Sequence, residues 1–382
     1  MTKNTYIQTS LRDKEKKMQD IKRIDLKRHV SLHKQEYMEA IEKVLDETAF
    51  SGGPYVKKFD QEFAEYCNVK YASGVDNGTS ALHCAMAALG VGPGDEVIVP
   101  AHTFIATAWG PTYTGATPVF ADVTPDTWLL DAKSVKEKIT PKTKAIIGVH
   151  LYGEPFDYDA VKAVAGDIPI VEDCAQAHGA IYKGTKVGGL GALGCFSFYP
   201  GKNLYCFGEG GSVTTNNKEY IDYVNVMKEH GSSVRYYHDM IGYNMRMDGI
   251  QGAVLSVELN YLDQWTKRRQ EIGQRYLREI TNPLIRMQAQ KEGAESVFHL
   301  FVVTVPEREK FIEHMESNGI YCDQHYPVPC HLQKAYEYLG YKKGDCPNAE
   351  YVAEHCCSLP MYPELRDDEV ERVIAACNSF VC

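Results

Sequence analysis

The sequence predicts an α/β protein: a large domain with a mainly parallel central sheet, followed by a smaller α+β C-terminal domain. Three observations lead there. Short β-rich runs recur at Glu96–Val99, Pro118–Asp122, Ala145–His150, Ile168–Glu172, Gly194–Tyr199 and Ser212–Thr215, and they lack strict alternation. Such runs suit strands buried on both faces. Helix-like stretches such as Thr79–Leu89 and Asp157–Val164 lie between several of them, and strand, helix, strand in repetition means a parallel sheet. Finally, a long helical stretch at Gln264–Ile280 leads into a strand at Phe298–Val305, a helix at Glu307–Asn318 and an approach, Cys356–Ser358, to a turn at Pro360–Pro363.

From the N-terminus, residues 1–20 are charged and aperiodic and are expected to form a mobile tail. Leu32, Tyr37, Ile41, Val44 and Leu45 fall near helical spacing, and Ser51-Gly52-Gly53-Pro54 ends that helix as a turn. Val56, Phe59, Phe63 and Tyr66 then share one face of a second helix. The expected large domain spans residues 21–265 and the small one 266–382.

Lys and Arg total 41 against 51 Asp and Glu, a formal charge of −10, which argues against nucleic acid or an anionic membrane as partner. No apolar run approaches the ~20 residues of a membrane span, and the polar N-terminus has no signal-peptide pattern. A cytoplasmic protein is expected. The twelve cysteines contain no C-x-x-C pair, so they read as reduced thiols, and no metal site is expected.

Three passages carry chemistry. Asn77-Gly78-Thr79-Ser80 opens a helix, where free N–H groups, the helix dipole and two hydroxyls suit a phosphate. Asp173 ends a strand and so points into the ligand crevice of a parallel sheet. Lys202 follows an aromatic strand and a Pro-Gly bend in FSFYPGKN; a desolvated lysine has a lowered pKa and attacks carbonyls. Taken singly, each has an ordinary alternative: a helix cap, a turn cap and a surface lysine. Taken in this order, they are what a pyridoxal phosphate site requires. The phosphate lies on the helix N-terminus, the Asp keeps the pyridine nitrogen protonated, and the lysine joins the cofactor.

The sequence also resembles the DegT/DnrJ/StrS sugar aminotransferases, which are fold-type I pyridoxal-phosphate enzymes. The resemblance runs from about Ile24 to the C-terminus, through NGTSAL, GPGDEVIVPAHTFIATA, HLYGEPFD, VEDCAQAHGA, GCFSFYPGKNL, YNMRMDGIQGAVL and HYPVPCHLQKAY. It implies that Lys202 carries the Schiff base, Asp173 binds the pyridine nitrogen and Gln176 lies near the phenolic oxygen. Phe104 would stack on the ring, and Gly78, Thr79 and Ser197 would hold the phosphate. Asn244 would reach the phosphate from a neighbouring subunit, making a homodimer with shared sites. His325, Tyr326 and His331 match the segment lining the nucleotide-sugar side, with a structural role for each left open. Tyr205-Cys206 stands where small residues are usual, and a bulky Tyr205 would reshape the sugar pocket.

The resemblance therefore implies transfer of an amino group from L-glutamate to a nucleotide-linked 3-keto sugar in amino-sugar biosynthesis. A 4-keto sugar or cyclitol acceptor stays open. A dehydratase of this fold has histidine in place of Lys202, and a non-catalytic binder would have lost the lysine, the Asp or the phosphate loop.

Overall fold

The computed structural model describes residues 19–381, so most of the expected tail lies outside the described residues. Helix α1 (Leu26–Asp46) begins at Asp25, whose carboxylate accepts the N–H of Arg28 at 3.3 Å. It buries His29, Tyr37 and Val44. Leu32 and Leu45, expected on the inner face, are exposed. The helix departs from helical geometry at His33, and this breaks the simple spacing. Gly52 makes the expected turn at φ +59°, but Gly53 and Pro54 already belong to α2 (Gly53–Tyr66), with Pro54 in the first turn. Val56, Phe59 and Phe63 of α2 are buried as expected.

The central sheet has seven strands: β1 (Tyr71–Val75), β2 (Glu96–Pro100), β3 (Thr117–Ala121), β4 (Thr143–Val149), β5 (Ile170–Asp173), β6 (Leu193–Ser197) and β7 (Gly211–Thr215), in the order β1-β7-β6-β5-β4-β2-β3. Neighbours from β3 to β6 pair in parallel; β7 is antiparallel to both β6 and β1. Strand β1 has no counterpart in the sequence reading. Its run, Tyr-Ala-Ser-Gly-Val, is broken by small polar residues for a packing reason. The Gly74 N–H bonds Asp60 at 2.7 Å, and a side chain at Gly74 would meet Met247 at 3.2 Å.

Helices α3 (Gly78–Ala88), α4 (Ala106–Tyr113), α5 (Ala132–Lys138), α6 (Tyr158–Ala165), α7 (Lys218–Lys228) and α8 (Gly249–Leu259) accompany the sheet, and α9 (Leu262–Glu279) leads away from it. A second sheet follows, of β8 (Arg286–Met287), β9 (Phe301–Thr304) and β10 (Cys356–Leu359), all antiparallel. Helices α9, α10 (Arg308–Ser317) and α12 (Asp367–Ser379) bury Ile272, Tyr276, Phe311, Met315 and Val373 with it. Ile21 joins this cluster through a parallel bridge to Ile320. The stretch through α11 (Pro347–His355) returns to the large sheet, where Cys330, Tyr336, Cys346 and Ala349 share a core with Val97 and Phe120.

Strand β5 is pinned by Glu172, which is fully buried. Its Oε1 accepts the N–H groups of Leu190 and Gly191, and its Oε2 accepts Gly188 N–H, each at 2.8 Å. Oε2 also accepts His150 Nε2–H at 3.0 Å. His150, Glu172 and Cys174 lie within 4.8 Å of one another. However, all four carboxylate lone-pair sites are taken and His150 Nδ1 accepts Phe156 N–H, so the cluster has no lone pair there for a metal. Glu172→Gln places an amide donor against these donors. It should lower stability by about 3 kcal/mol, read as a drop in the denaturant midpoint with an unchanged far-UV spectrum.

Candidate active site

The residues expected to carry chemistry converge at the carboxyl edge of the large sheet, where parallel strands open a crevice. Asp173, 5% exposed, ends β5. Its Oδ2 accepts the hydroxyl of Thr107 on α4 at 2.8 Å, and its Oδ1 accepts Ala175 N–H at 3.1 Å. Burial pushes its pKa up, while these hydrogen bonds and then the charge of Lys202 pull it down. The carboxylate thus touches only neutral donors, which suits a cation arriving beside it, such as a protonated pyridine nitrogen.

A chain of side chains fixes the neighbouring wall. Tyr152 sits after β4 at φ +65° and donates its N–H to Gln176 Oε1 at 2.7 Å. Its hydroxyl pairs with His102 Nε2 at 2.6 Å and donates to the carbonyl of His325. Gln176 Nε2 donates to the hydroxyl of Tyr326 at 2.9 Å. The ring of Tyr326 lies 5.6 Å from that of Phe104. Phe104 is 50% exposed, an apolar face at the end of β2 that a planar ring could cover. His325 Nδ1 pairs with Ser358 Oγ at 2.8 Å, and burial lowers its pKa to about 4.

Across the sheet, α3 begins after β1. Asn77 caps it by accepting Ser80 N–H at 2.8 Å, which leaves the N–H groups of Gly78 and Thr79 without intrahelical partners. A Cβ at Gly78 would stand 2.6 Å from the Cβ of Ser197, so only glycine lets the helix end and the Ser197 hydroxyl meet. Two free N–H groups, a threonine and a serine make an anion cradle. The cap at Asn77 is present, and it leaves the N–H groups that a cradle would use unpaired within the helix.

Lys202 follows β6 on a turn closed by its own N–H to Tyr199 O at 3.0 Å. The next residue, Asn203, is buried and bonds Val297 O at 3.1 Å and His299 Nδ1 at 3.0 Å, which holds the turn. Burial lowers the Lys202 pKa to about 8; Asp173 opposes this and Arg23 adds to it. The donor set therefore fits pyridoxal phosphate: an amine of lowered pKa, a buried carboxylate, an apolar face and an anion cradle.

Three expected residues stand apart. His331 is 1% exposed, paired with Glu350 at 3.1 Å beside Phe120 and Tyr341. It is a core histidine, not a lining one. Tyr205 is buried against His29 and Phe207, so its bulk is accommodated by α1 rather than by the Asp173–Phe104 crevice. Asn244 is exposed and its side chain makes no hydrogen bond among the described residues, although Met245 O accepts Asp76 N–H at 3.0 Å beside the cradle. The sequence reading missed Thr107, Tyr152 and Arg23. The first two lie inside the quoted HTFIATA and HLYGEPFD passages, whereas Arg23 lies outside the resemblance.

The sequence profile of the DegT/DnrJ/EryC1/StrS aminotransferase family matches residues 31–378. A dTDP-3-amino-3,4,6-trideoxy-alpha-D-glucose transaminase of Streptomyces venezuelae is 42% identical over 94% of this chain and 95% of its own. A protein of Geobacillus stearothermophilus named a pleiotropic regulatory protein is 40% identical over 94% and 97%. The crystal structure of S. venezuelae DesV in complex with a ketimine intermediate has a TM-score of 0.92 at 41% identity, covering 94% and 98%.

The lowered Lys202 pKa has a direct consequence. Above about 8 the amine is neutral and nucleophilic, and below it the amine is charged. The rate at which apo-protein takes up pyridoxal phosphate covalently should rise with pH and level off just above 8, well below the ordinary lysine value of 10.5. Absorbance-monitored reconstitution across pH 6 to 10 checks this. Lys202→Ala should abolish borohydride-fixable attachment.

Proposed function

The chain belongs to the DegT/DnrJ/EryC1/StrS aminotransferase family, and from that premise we propose that it moves the amino group of L-glutamate to a nucleotide-linked 3-keto-deoxyhexose. It is a pyridoxal-phosphate-dependent aminotransferase. The observation that carries the reading is the pairing of a low-pKa lysine with a buried strand-end Asp in one crevice.

Bound pyridoxal phosphate supplies an electron-accepting ring and a carbonyl that takes the amino group between substrates. The protein supplies the rest. Asp173 holds a proton on the pyridine nitrogen, its own orientation set by Thr107. Gly78, Thr79 and Ser197 would hold the phosphate, and Phe104 would offer the ring its apolar face. Lys202 would be the residue that joins the cofactor and, as an amine of lowered pKa, the base for the substrate Cα proton. At pH 7 an ordinary lysine is neutral about one time in three thousand, but one with a pKa near 8 is neutral about one time in ten. Gln176, held by Tyr152, orients Tyr326 at the sugar side.

The 3-keto assignment is supported by the transaminase relative and by the SFYPGKNL passage. The regulatory name of another relative raises a binding-only reading, against which stand Lys202, Asp173 and the cradle, all in place. Incubation with L-glutamate and a panel of 3-keto and 4-keto nucleotide sugars, read by mass spectrometry, tests the proposal. A 3-amino product is expected. An exclusive 4-amino product would overturn the 3-keto assignment, and no amine with any acceptor would overturn the activity.

The working unit we propose is a homodimer with shared sites. Val234, Tyr236, Tyr237 and Ile241 stand exposed just before Asn244, Ile241 at 88%, a patch that suits a second copy. Among the described residues no helix is long and apolar enough to cross a membrane, and eleven described cysteines are free thiols, in keeping with the cytoplasm. If Asn244 serves its partner's site, mixing Asn244→Ala with Lys202→Ala protein should restore about a quarter of wild-type activity after subunit exchange. In each mixed dimer one site carries both lesions and the other carries none. Verified exchange with no rescue would place both residues in one chain's site.

A further inference from the structure

We propose that Arg23 is the residue of this site that recognises a substrate carboxylate. The inference rests on the transaminase reading and deepens it. Arg23 lies just before α1, on the strand-like stretch that Ile21 ties to Ile320. Its carbonyl accepts Met361 N–H at 3.3 Å. On its other side Ile24 reaches the Lys202 turn, its Cδ1 3.4 Å from where a Gly201 Cβ would be. The backbone at Arg23–Ile24 thus runs beside the Lys202 turn, and the guanidinium meets Asp323, two residues before His325. Its charge is felt at Lys202, His325 and Tyr326 alike.

Its only ion pair among the described residues is Nε to Asp323 Oδ2 at 3.3 Å, with Arg23 25% and Asp323 57% exposed. Neither Nη atom makes a hydrogen bond among the described residues, although burial already opposes the charge. A largely covered guanidinium with its fork unused is a poor structural element, because half-exposed ion pairs contribute little and unmet donors cost free energy. The same fork is well matched to a carboxylate, which it can grip through two parallel N–H bonds. Transamination brings one there of necessity. The donor's carboxylate is bonded to the Cα whose proton Lys202 moves, so its counter-cation has to stand close to that lysine. The phosphate already has the α3 N-terminus and Ser197 to hold it. The carboxylate comes from the amino donor or from an acidic keto sugar, and the two sources separate by kinetics.

With holoenzyme, Arg23→Gln should raise KM for L-glutamate about 10- to 100-fold, with kcat changed much less. Arg23→Lys should recover part of the loss. Glutarate, a dicarboxylate without an amine, should bind more weakly to Arg23→Gln in parallel, read by calorimetry. Asp323→Asn breaks the same ion pair but keeps the guanidinium, so it should leave KM for glutamate at or below the wild-type value. A rise confined to a carboxylate-bearing keto sugar would assign the acceptor as the source. The inference is overturned if Arg23→Gln leaves KM for glutamate and for acidic acceptors unchanged, if Asp323→Asn reproduces its effect, or if it raises KM only for a neutral nucleotide sugar, which would mark a diphosphate contact. Wild-type protein that aminates nothing would instead overturn the transaminase reading, and this inference with it.

Discussion

Two adjacent carboxylates on β5 set the terms for the rest of the structure. Successive residues of a strand face opposite sides of the sheet, so Glu172 and Asp173 cannot serve the same surroundings. Glu172 is met by three backbone N–H groups and His150, which fixes β5 and the 188–191 loop as one unit. Asp173, one residue on, receives a single hydroxyl and a single N–H. A buried carboxylate with so few donors is costly unless a cation completes it. The sheet therefore holds in place a negative charge that the fold alone leaves under-satisfied, and this favours a cationic ring at that point.

Lys202 shows the complementary choice. Desolvation favours the neutral amine and Asp173 favours the charged one, and the result near 8 says that desolvation wins while the carboxylate keeps the shift moderate. Had the balance gone fully either way, the residue would serve less well, since a strongly depressed amine is a weak base and an undepressed one is rarely neutral. The balance depends on the turn being held, and Asn203 does that by bonding Val297 and His299, residues just before β9 of the second sheet. The lysine's chemistry is thus tied to packing between the two sheets, not to its own strand alone.

How much of this was legible in the sequence follows from what each signal reports. The six strands that were read are apolar runs buried on both faces, and periodicity finds those. Strand β1 was lost because its Ser73 and Gly74 serve Asn225 and Asp60, contacts with no local signature. Asp173 and Lys202 were legible because their positions relative to strand ends are set by the chain itself, whereas Gln176 and Ser197 came from the resemblance alone. His331 and Tyr205 were misplaced because segment likeness says what lies near a site, not which way a side chain turns. His331 turns to Glu350, and Tyr205 turns to a His29 held between Glu258 and Glu364. Tyr152 was hidden for another reason, since its role comes from a backbone at φ +65°, which a tyrosine seldom adopts.

The N-terminal segment shows why a residue outside the motif density can still belong to the site. Ile21 packs in the C-terminal core, Arg28 bonds Glu369 through two 2.7 Å contacts, and α1 lies against α8 of the large unit. Residues 21–28 therefore run along the boundary on which the Lys202 turn and the His325–Tyr326 segment also lie. A chain held at both ends of such a path has little freedom to withdraw the side chain between them. That fixed placement lets Arg23 act on a ligand without a large loss of conformational entropy on binding. The two anchors differ in kind, one apolar at Ile21 and one a bidentate ion pair at Arg28 whose Glu369 partner is fully buried, and a pair covered in this way is screened little by salt. Neither anchor yields readily to ionic strength, so the cation stays near the crevice.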